Sequence, residues 1–383
     1  MQEIKEWTSN YNPFNSSKLY AHLPRWKEMV ACLKDGSPLP SPALITLDPI
    51  NLCNLDCSWC NADYVLEKSH KKISNGMLDE IVRFLPFWGE NPRWKGVDAI
   101  CIAGGGEPLI HTHTGKVISN LVEEGIGTGI VTNGVYMDKH ASDLVNCTWV
   151  GVSIDSGTSK TYLELKGKDE YAKVLSNIEK LVRSAEGENL GQAGQGPGVS
   201  YKYLLHPKNV HEIYQAAVNA KNTGCKNLHI RPFGVPWDKI GGGNPDEFTY
   251  SNIETFREQL SKARELEDGT FKVFGVTHKF DGNFKKLNEF DSCYAIYMTA
   301  VIQPPTGKTG FNLGFCCDRR GDPKLTWENL QSPEEINKIW GNMDHRALIE
   351  KIDVSKCPRC TYQPHNQIIE NGILVDNLTW EYM

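Results

Sequence analysis

Long hydrophobic runs are absent from this chain: nowhere do about 18 apolar residues follow one another, the length a membrane-spanning helix needs. The stretch from Met1 to Asn15 lacks the charged-then-apolar order of a secretory leader, so a cytoplasmic protein without membrane contact is expected. Positive charge is not in excess either. With 41 Lys and Arg against 47 Asp and Glu, the formal net charge is -6, which gives no global basic field to attract nucleic acid, although a local basic groove stays open. No internal repeat is evident, which excludes a solenoid. What remains is an ordinary globular composition, 40% hydrophobic over 383 residues, enough for one large α/β domain and a smaller appended one.

Cysteine is scarce outside two clusters. Eight of the twelve gather around Cys53 and in the last hundred residues; Cys32, Cys101, Cys147 and Cys225 stand alone in apolar or helical surroundings and read as buried thiols. In a reducing cytosol, clustered cysteines point to metal rather than disulfides.

Between the clusters, strand and helix patterns alternate, which argues for a parallel sheet. Strands are expected at 43–48, 97–103, 127–132, 149–154, 199–204 and 227–231, and helices near 23–33, 75–87, 114–124, 139–144, 171–184 and 210–223. The expected organisation is a cap over residues 1–40, a barrel over 41–240, a linker, helical at first, over 241–289 and a small domain over 290–383. The glycine-rich stretch from Gly187 to Gly198 reads as a surface insertion.

The organising stretch is Cys53-Asn54-Leu55-Asp56-Cys57-Ser58-Trp59-Cys60, placed directly after the first strand. Three thiolates at this spacing can converge on one inorganic centre, since soft sulfur selects zinc, copper(I) or iron-sulfur clusters. A closed zinc site calls for a nearby fourth ligand, and the next histidine, His70, lies beyond a Lys-rich segment. A partial zinc knuckle stays the alternative. The C-x3-C-x2-C pattern, with Trp59 before the third cysteine, resembles the signature of the radical S-adenosylmethionine (SAM) superfamily. That resemblance implies a partial (β/α)6 TIM barrel and a 4Fe-4S cluster on Cys53, Cys57 and Cys60, with SAM chelating its open iron.

The same resemblance assigns a cofactor set. Ala103-Gly104-Gly105-Gly106-Glu107-Pro108 resembles the family's GGE motif, which contacts the SAM amino group; taken alone it is a plain strand-to-helix turn. Asn133 joins this set from the end of the third strand. Ser153 and Lys166 match positions that hold the SAM ribose and carboxylate in relatives with extra clusters, with a lysine point charge where an arginine fork is more usual. The bland alternatives are a strand hydroxyl and a solvated lysine. Trp59 is expected against the adenine region, and Ile230 as its apolar floor. Strand neighbours alternate, so either Ile230 or the flanking His229 and Arg231 face the barrel interior, and the pattern does not choose. Lys202, Tyr203, Arg231 and Asp155 are candidates for substrate contact; no catalytic acid or base is singled out.

The second cluster contains Cys293, Cys316, Cys317, Cys357 and Cys360. Cys316 and Cys317 follow a predicted hairpin, and as strand neighbours they face opposite sides, so Cys316 is the expected ligand. A four-thiolate zinc ribbon is one reading. The order of a Cys, a hairpin, a Cys followed by Asp318 and a CxxC resembles the SPASM/Twitch extension, in its shorter form with one auxiliary 4Fe-4S cluster on Cys293, Cys316, Cys357 and Cys360. The family resemblance then implies an enzyme that cleaves SAM reductively to a 5'-deoxyadenosyl radical, takes electrons from a donor such as flavodoxin or ferredoxin, and oxidises or cross-links a small-molecule or peptide substrate. A redox-neutral isomerase or epimerase, including one acting on a modified nucleotide, and a non-catalytic zinc protein are the alternatives.

Overall fold

Short, continuous apolar runs such as Leu44-Ile45-Thr46-Leu47 and Thr299-Ala300-Val301-Ile302 suit strands buried on both faces, the condition of a parallel sheet. The computed structural model describes residues 16–60, 62, 65–66, 71–186, 190, 198–233, 248–275, 288–357 and 360–375. The expected insertion near 187–198 falls largely outside these residues, as do the start of the expected linker, 241–247, and His70.

Six strands, β1 (Leu44–Leu47), β2 (Ala99–Ile102), β3 (Gly127–Thr132), β4 (Trp149–Ser153), β5 (Gly198–Leu205) and β6 (Asn227–Pro232), lie side by side in chain order, all parallel. Helices cross back between them as in a barrel-like α/β core. The helix Tyr171–Ser184 buries Val174, Ile178 and Leu181, a stripe at the spacing of one helix face; each such side chain contributes about 1.5–3 kcal/mol of burial. A seventh parallel strand, β7 (Lys272–Gly275), adds beside β6 inside the expected linker. Four residues, Lys-Val-Phe-Gly, carry too little pattern to distinguish a strand from a loop.

The predicted C-terminal hairpin forms and continues the same sheet. β8 (Thr299–Gln303) pairs in parallel with β1, matching Leu44 to Thr299 and Leu47 to Ile302. β9 (Phe311–Gly314) runs antiparallel to β8, and β10 (Thr326–Leu330) antiparallel to β9. Aromatic packing fastens this segment to the N-terminal cap. Phe315 stacks on His345 at 4.0 Å, the Trp340 indole donates to Pro40 O, and Arg346 donates to Cys32 O and Ser37 O. Burial pulls His345 down to about 3, so it serves here as a neutral core ring. No helix among the described residues is long and apolar enough to cross a membrane.

Candidate functional site

The first cysteine loop leaves the C-terminal end of β1 and is fastened to the end of another helix. In the helix Ser159–Lys166 the last carbonyls lack intrahelical partners. Two of them accept from the loop: Asp56 N donates to Lys166 O and Ser58 N to Leu165 O, both at 3.0 Å. Lys168 Nζ adds a bond to Asn54 O at 2.6 Å. The fit requires Gly167. It caps the helix at φ +73°, and a Cβ there would stand 2.9 Å from Asp56 O.

Cys53, Cys57 and Cys60 are half-buried in this loop. Burial pushes the Cys53 and Cys57 thiols up, with Glu107 and their mutual repulsion adding to it, while Lys166 opposes it at Cys57. The Asn133 amide points at Cys53 Sγ from 3.8 Å. Thiols held in this way become thiolates when a metal supplies the positive charge, as a cluster does. Among the described residues, no three His, Cys, Asp or Glu side chains meet as a single-ion site. A 4Fe-4S cube places each thiolate on a different iron, so its ligands stand farther apart than those of one ion. Three soft donors in one loop fit that group.

Close packing explains the glycines after β2. A Cβ on Gly106 would lie 2.5 Å from Leu52 O and 2.6 Å from Ile50 O, so the turn closes onto the backbone that leads into the cysteine loop. Glu107, buried, accepts from Thr132 Oγ1 at 2.6 Å, Asn133 N at 2.7 Å and Leu109 N at 3.0 Å. Burial raises its carboxyl pKa and these bonds pull against that. Its side chain therefore ties the end of β2 to the end of β3. Pro108 opens the following 3-10 turn, and Asn133 also holds Asn54 Oδ1 at 2.8 Å.

Lys166 is buried and bonded to Asp155. Burial pulls the lysine pKa down, and the attraction of Asp155 and Cys57 more than reverses it. Asp155 stands at φ +63°, held by Leu204 N at 2.7 Å on its carboxylate and by the Asn209 amide on its carbonyl. The expected substrate contact at Asp155 is thus corrected to a structural ion pair. Tyr203 is corrected too, because its hydroxyl donates to Asn209 O at 2.6 Å on the helix-facing side of β5. Ile230 pairs in register with Tyr203 and shares that side, leaving His229 and Arg231 on the interior face with Lys202. Ser153 pairs with Lys202 in register. Trp59 stacks on His206 at 4.7 Å and lies 6.3 Å from Phe233. His206 and Phe233 belong to no motif; their positions just after β5 and β6 were the available signal.

The second set gathers at the other end of β9. Burial pushes Cys293 up to about 12 and Cys316 and Cys360 well above the usual thiol range; repulsion adds to it, from Cys357 at Cys293, from Asp318, Cys317, Cys293 and Cys360 at Cys316, and from Cys293, Asp318 and Cys357 at Cys360. Asp318 accepts from Thr361 N at 2.6 Å and Thr361 Oγ1 at 2.9 Å, which brings the CxxC segment to Cys316. Arg319 donates to Cys357 Sγ at 3.8 Å. Cys317 turns the other way, toward Tyr362 and Cys101. Cys32, Cys147 and Cys225 are buried as expected, whereas Cys101 lies half-buried on the interior face of β2 near Cys317, Asp48 and Lys202.

A three-cysteine loop after the first strand of a parallel barrel, with a glycine turn closed against it, is matched by known families. Residues 47–205 fit the model of the Radical SAM superfamily. This segment is a radical SAM domain. Members of that superfamily bind SAM and a 4Fe-4S cluster. Two similar proteins are the probable GTP 3',8-cyclases of Methanococcus maripaludis, 31% identical over 133 residues, and Archaeoglobus fulgidus, 33% identical over 131 residues. These alignments cover 34% and 33% of this chain, and 42% and 40% of the relatives. Among solved structures, Streptococcus suis SuiB matches with TM-score 0.60 at 15% identity, over 88% of this chain and 74% of SuiB. Native anSMEcpe with bound AdoMet matches with TM-score 0.56 at 16% identity, over 85% and 89% of the two chains. These two likenesses cover more of the chain than the radical SAM domain does.

Proposed function

We propose that this protein is a radical SAM oxidoreductase that acts on a small-molecule or peptide substrate with help from an auxiliary 4Fe-4S cluster in the C-terminal segment. The observation that carries this reading is the second thiol set: Cys357 acts on Cys293, Cys293 and Cys360 act on Cys316, and Cys293 and Cys357 act on Cys360, while the Cys317 thiol is hydrogen-bonded with the Tyr362 side chain. Cys53, Cys57 and Cys60 would hold the first cluster and Cys293, Cys316, Cys357 and Cys360 the second. Held by these residues, the first cluster and SAM would together supply reductive radical chemistry that removes a hydrogen atom from a substrate carbon. The chain's own part is positional. The glycine turn Gly104 to Gly106 offers backbone to the amino acid end of SAM, Ser153 a hydroxyl, and the Trp59, His206 and Phe233 rings an apolar wall. The interior faces of β4 to β6 would hold the substrate and exclude water.

A second reading is favoured by the cyclase relatives, whose alignments reach about a third of this chain: a redox-neutral rearrangement, including one on a nucleotide. The oxidation state of the product separates the two. The test is iron, acid-labile sulfide and 5'-deoxyadenosine on anaerobically reconstituted protein, with dithionite or reduced flavodoxin as donor. About eight irons per chain and SAM cleavage that vanishes in Cys57→Ala are expected. Cleavage by that variant, or colourless protein loaded with zinc, overturns the reading.

A further inference from the structure

The barrel interior carries positive charge that the radical SAM chemistry does not use. Trp149, Gly151 and Ser153 on β4, Ser200 and Lys202 on β5, and His229 and Arg231 on β6 alternate with residues that face the helices. The Trp149 indole N–H is fixed by Ser200 Oγ at 2.7 Å, and the Lys202 ammonium lies 4.9 Å over its ring. Gly151 makes the room: a Cβ there would stand 2.7 Å from both Lys202 Cδ and the Trp149 ring. Lys202 is 9% exposed, and Arg231 lies close enough to repel it. Arg231 Nε is buried without a hydrogen-bond partner among the described residues. Asp155, the carboxylate that acts on Lys202, is committed to Lys166 and Leu204 N. Lys202 and Arg231 thus share one face of adjacent strands with no carboxylate bonded to either among the described residues, an arrangement that costs free energy until an anion enters.

We infer that Lys202 and Arg231 form the seat for an anionic group of the substrate, a carboxylate or a phosphate, against the Trp149 indole. This rests on the proposed use of the barrel interior as the reaction chamber and narrows the substrate to an acidic one. An arginine fork beside a lysine point charge suits the oxygens of either anion.

The test is calorimetric titration of the full, anaerobically reconstituted chain with two probes, pyrophosphate and malonate, and separately with SAM. Lys202→Met and Arg231→Met should each weaken probe binding at least tenfold, while Lys262→Met on the exposed face of the helix Tyr250–Arg264 leaves it unchanged. Both variants should retain SAM affinity and the wild-type thermal melt. Binding of pyrophosphate alone assigns a phosphate and binding of malonate alone a carboxylate; either supports the seat. No probe binding by the wild type, equal binding by all variants, or loss of SAM affinity in Lys202→Met overturns it. SAM cleavage by the wild type is scored independently, so a failed anion site and a failed radical SAM reading give different results.

Discussion

Arg320 and Asp48 stand 272 positions apart in sequence and 2.6 Å apart in space, Arg320 Nε on Asp48 Oδ2. Asp48 is the residue after β1, five positions before Cys53, and Arg320 follows Cys317, whose carbonyl it also holds. One guanidinium therefore joins the entrance of the first cysteine loop to the segment that carries the second set. Burial raises the Asp48 pKa, and Arg320 pulls it back.

Arg320→Met should remove about 3 kcal/mol of stability at neutral pH, the usual consequence of leaving one member of a buried pair alone. Without Arg320 the Asp48 pKa rises further above its unfolded value. The native state then favours the protonated acid, so the deficit shrinks as pH falls through that raised pKa. Urea unfolding of wild type and variant at neutral and acid pH measures both effects; a deficit that stays constant with pH contradicts the assignment.

Gly167→Ala should loosen the first cysteine loop without touching a thiol. A side chain at φ +73° costs about 1 kcal/mol, and the contact with Asp56 O adds to it. The expected outcome is a folded protein that loses iron faster than wild type to a chelator, followed by the decay of its brown absorbance.

Cys316→Ser and Cys317→Ser are neighbours with opposite expected outcomes. The first should lower iron by about half and the second should leave it at about eight per chain, because Cys293 and Cys360 act on Cys316 whereas the Cys317 thiol is hydrogen-bonded with Tyr362. Replacing Cys357 and Cys360 together should match Cys316→Ser.

Anion binding at Lys202 should take up a proton. Burial, then repulsion from Arg231, lowers the free lysine to about 7, with Cys101 and Asp155 opposing and His229 opposite it in register. At about pH 8 most of it is neutral, and an arriving anion raises its pKa and draws in close to one proton; at about pH 6 it is already charged and uptake is small. Calorimetry in buffers of different ionisation enthalpy reads this directly. Uptake that does not change between the two pH values contradicts it.

Strand periodicity and cysteine spacing placed most of the frame, since β3 and the helix Tyr171–Ser184 fall where the pattern puts them. Relations across the chain were less legible. Only the pairing of Tyr203 with Ile230 and Lys202 with His229 decides which side of β6 faces inward. Glu107 belongs to a motif, yet its partners, Thr132 and Asn133, come from the next strand. Lys166 reads from the sequence as a SAM contact or a solvated lysine, and its ion pair was not legible because Asp155, eleven positions earlier, reaches it through a left-handed backbone turn. Arg320 carried no local signal at all.

The pairing of β8 with β1 sets an order of assembly. As the chain is synthesised, one edge of β1 finds β2 after some fifty residues, but its other edge waits for residue 299. Until then a bare strand beside the first cysteine loop is open to pairing with another chain. A truncation before residue 299 should therefore aggregate even with Cys53, Cys57 and Cys60 intact, because the last quarter of the chain covers the free edge of β1.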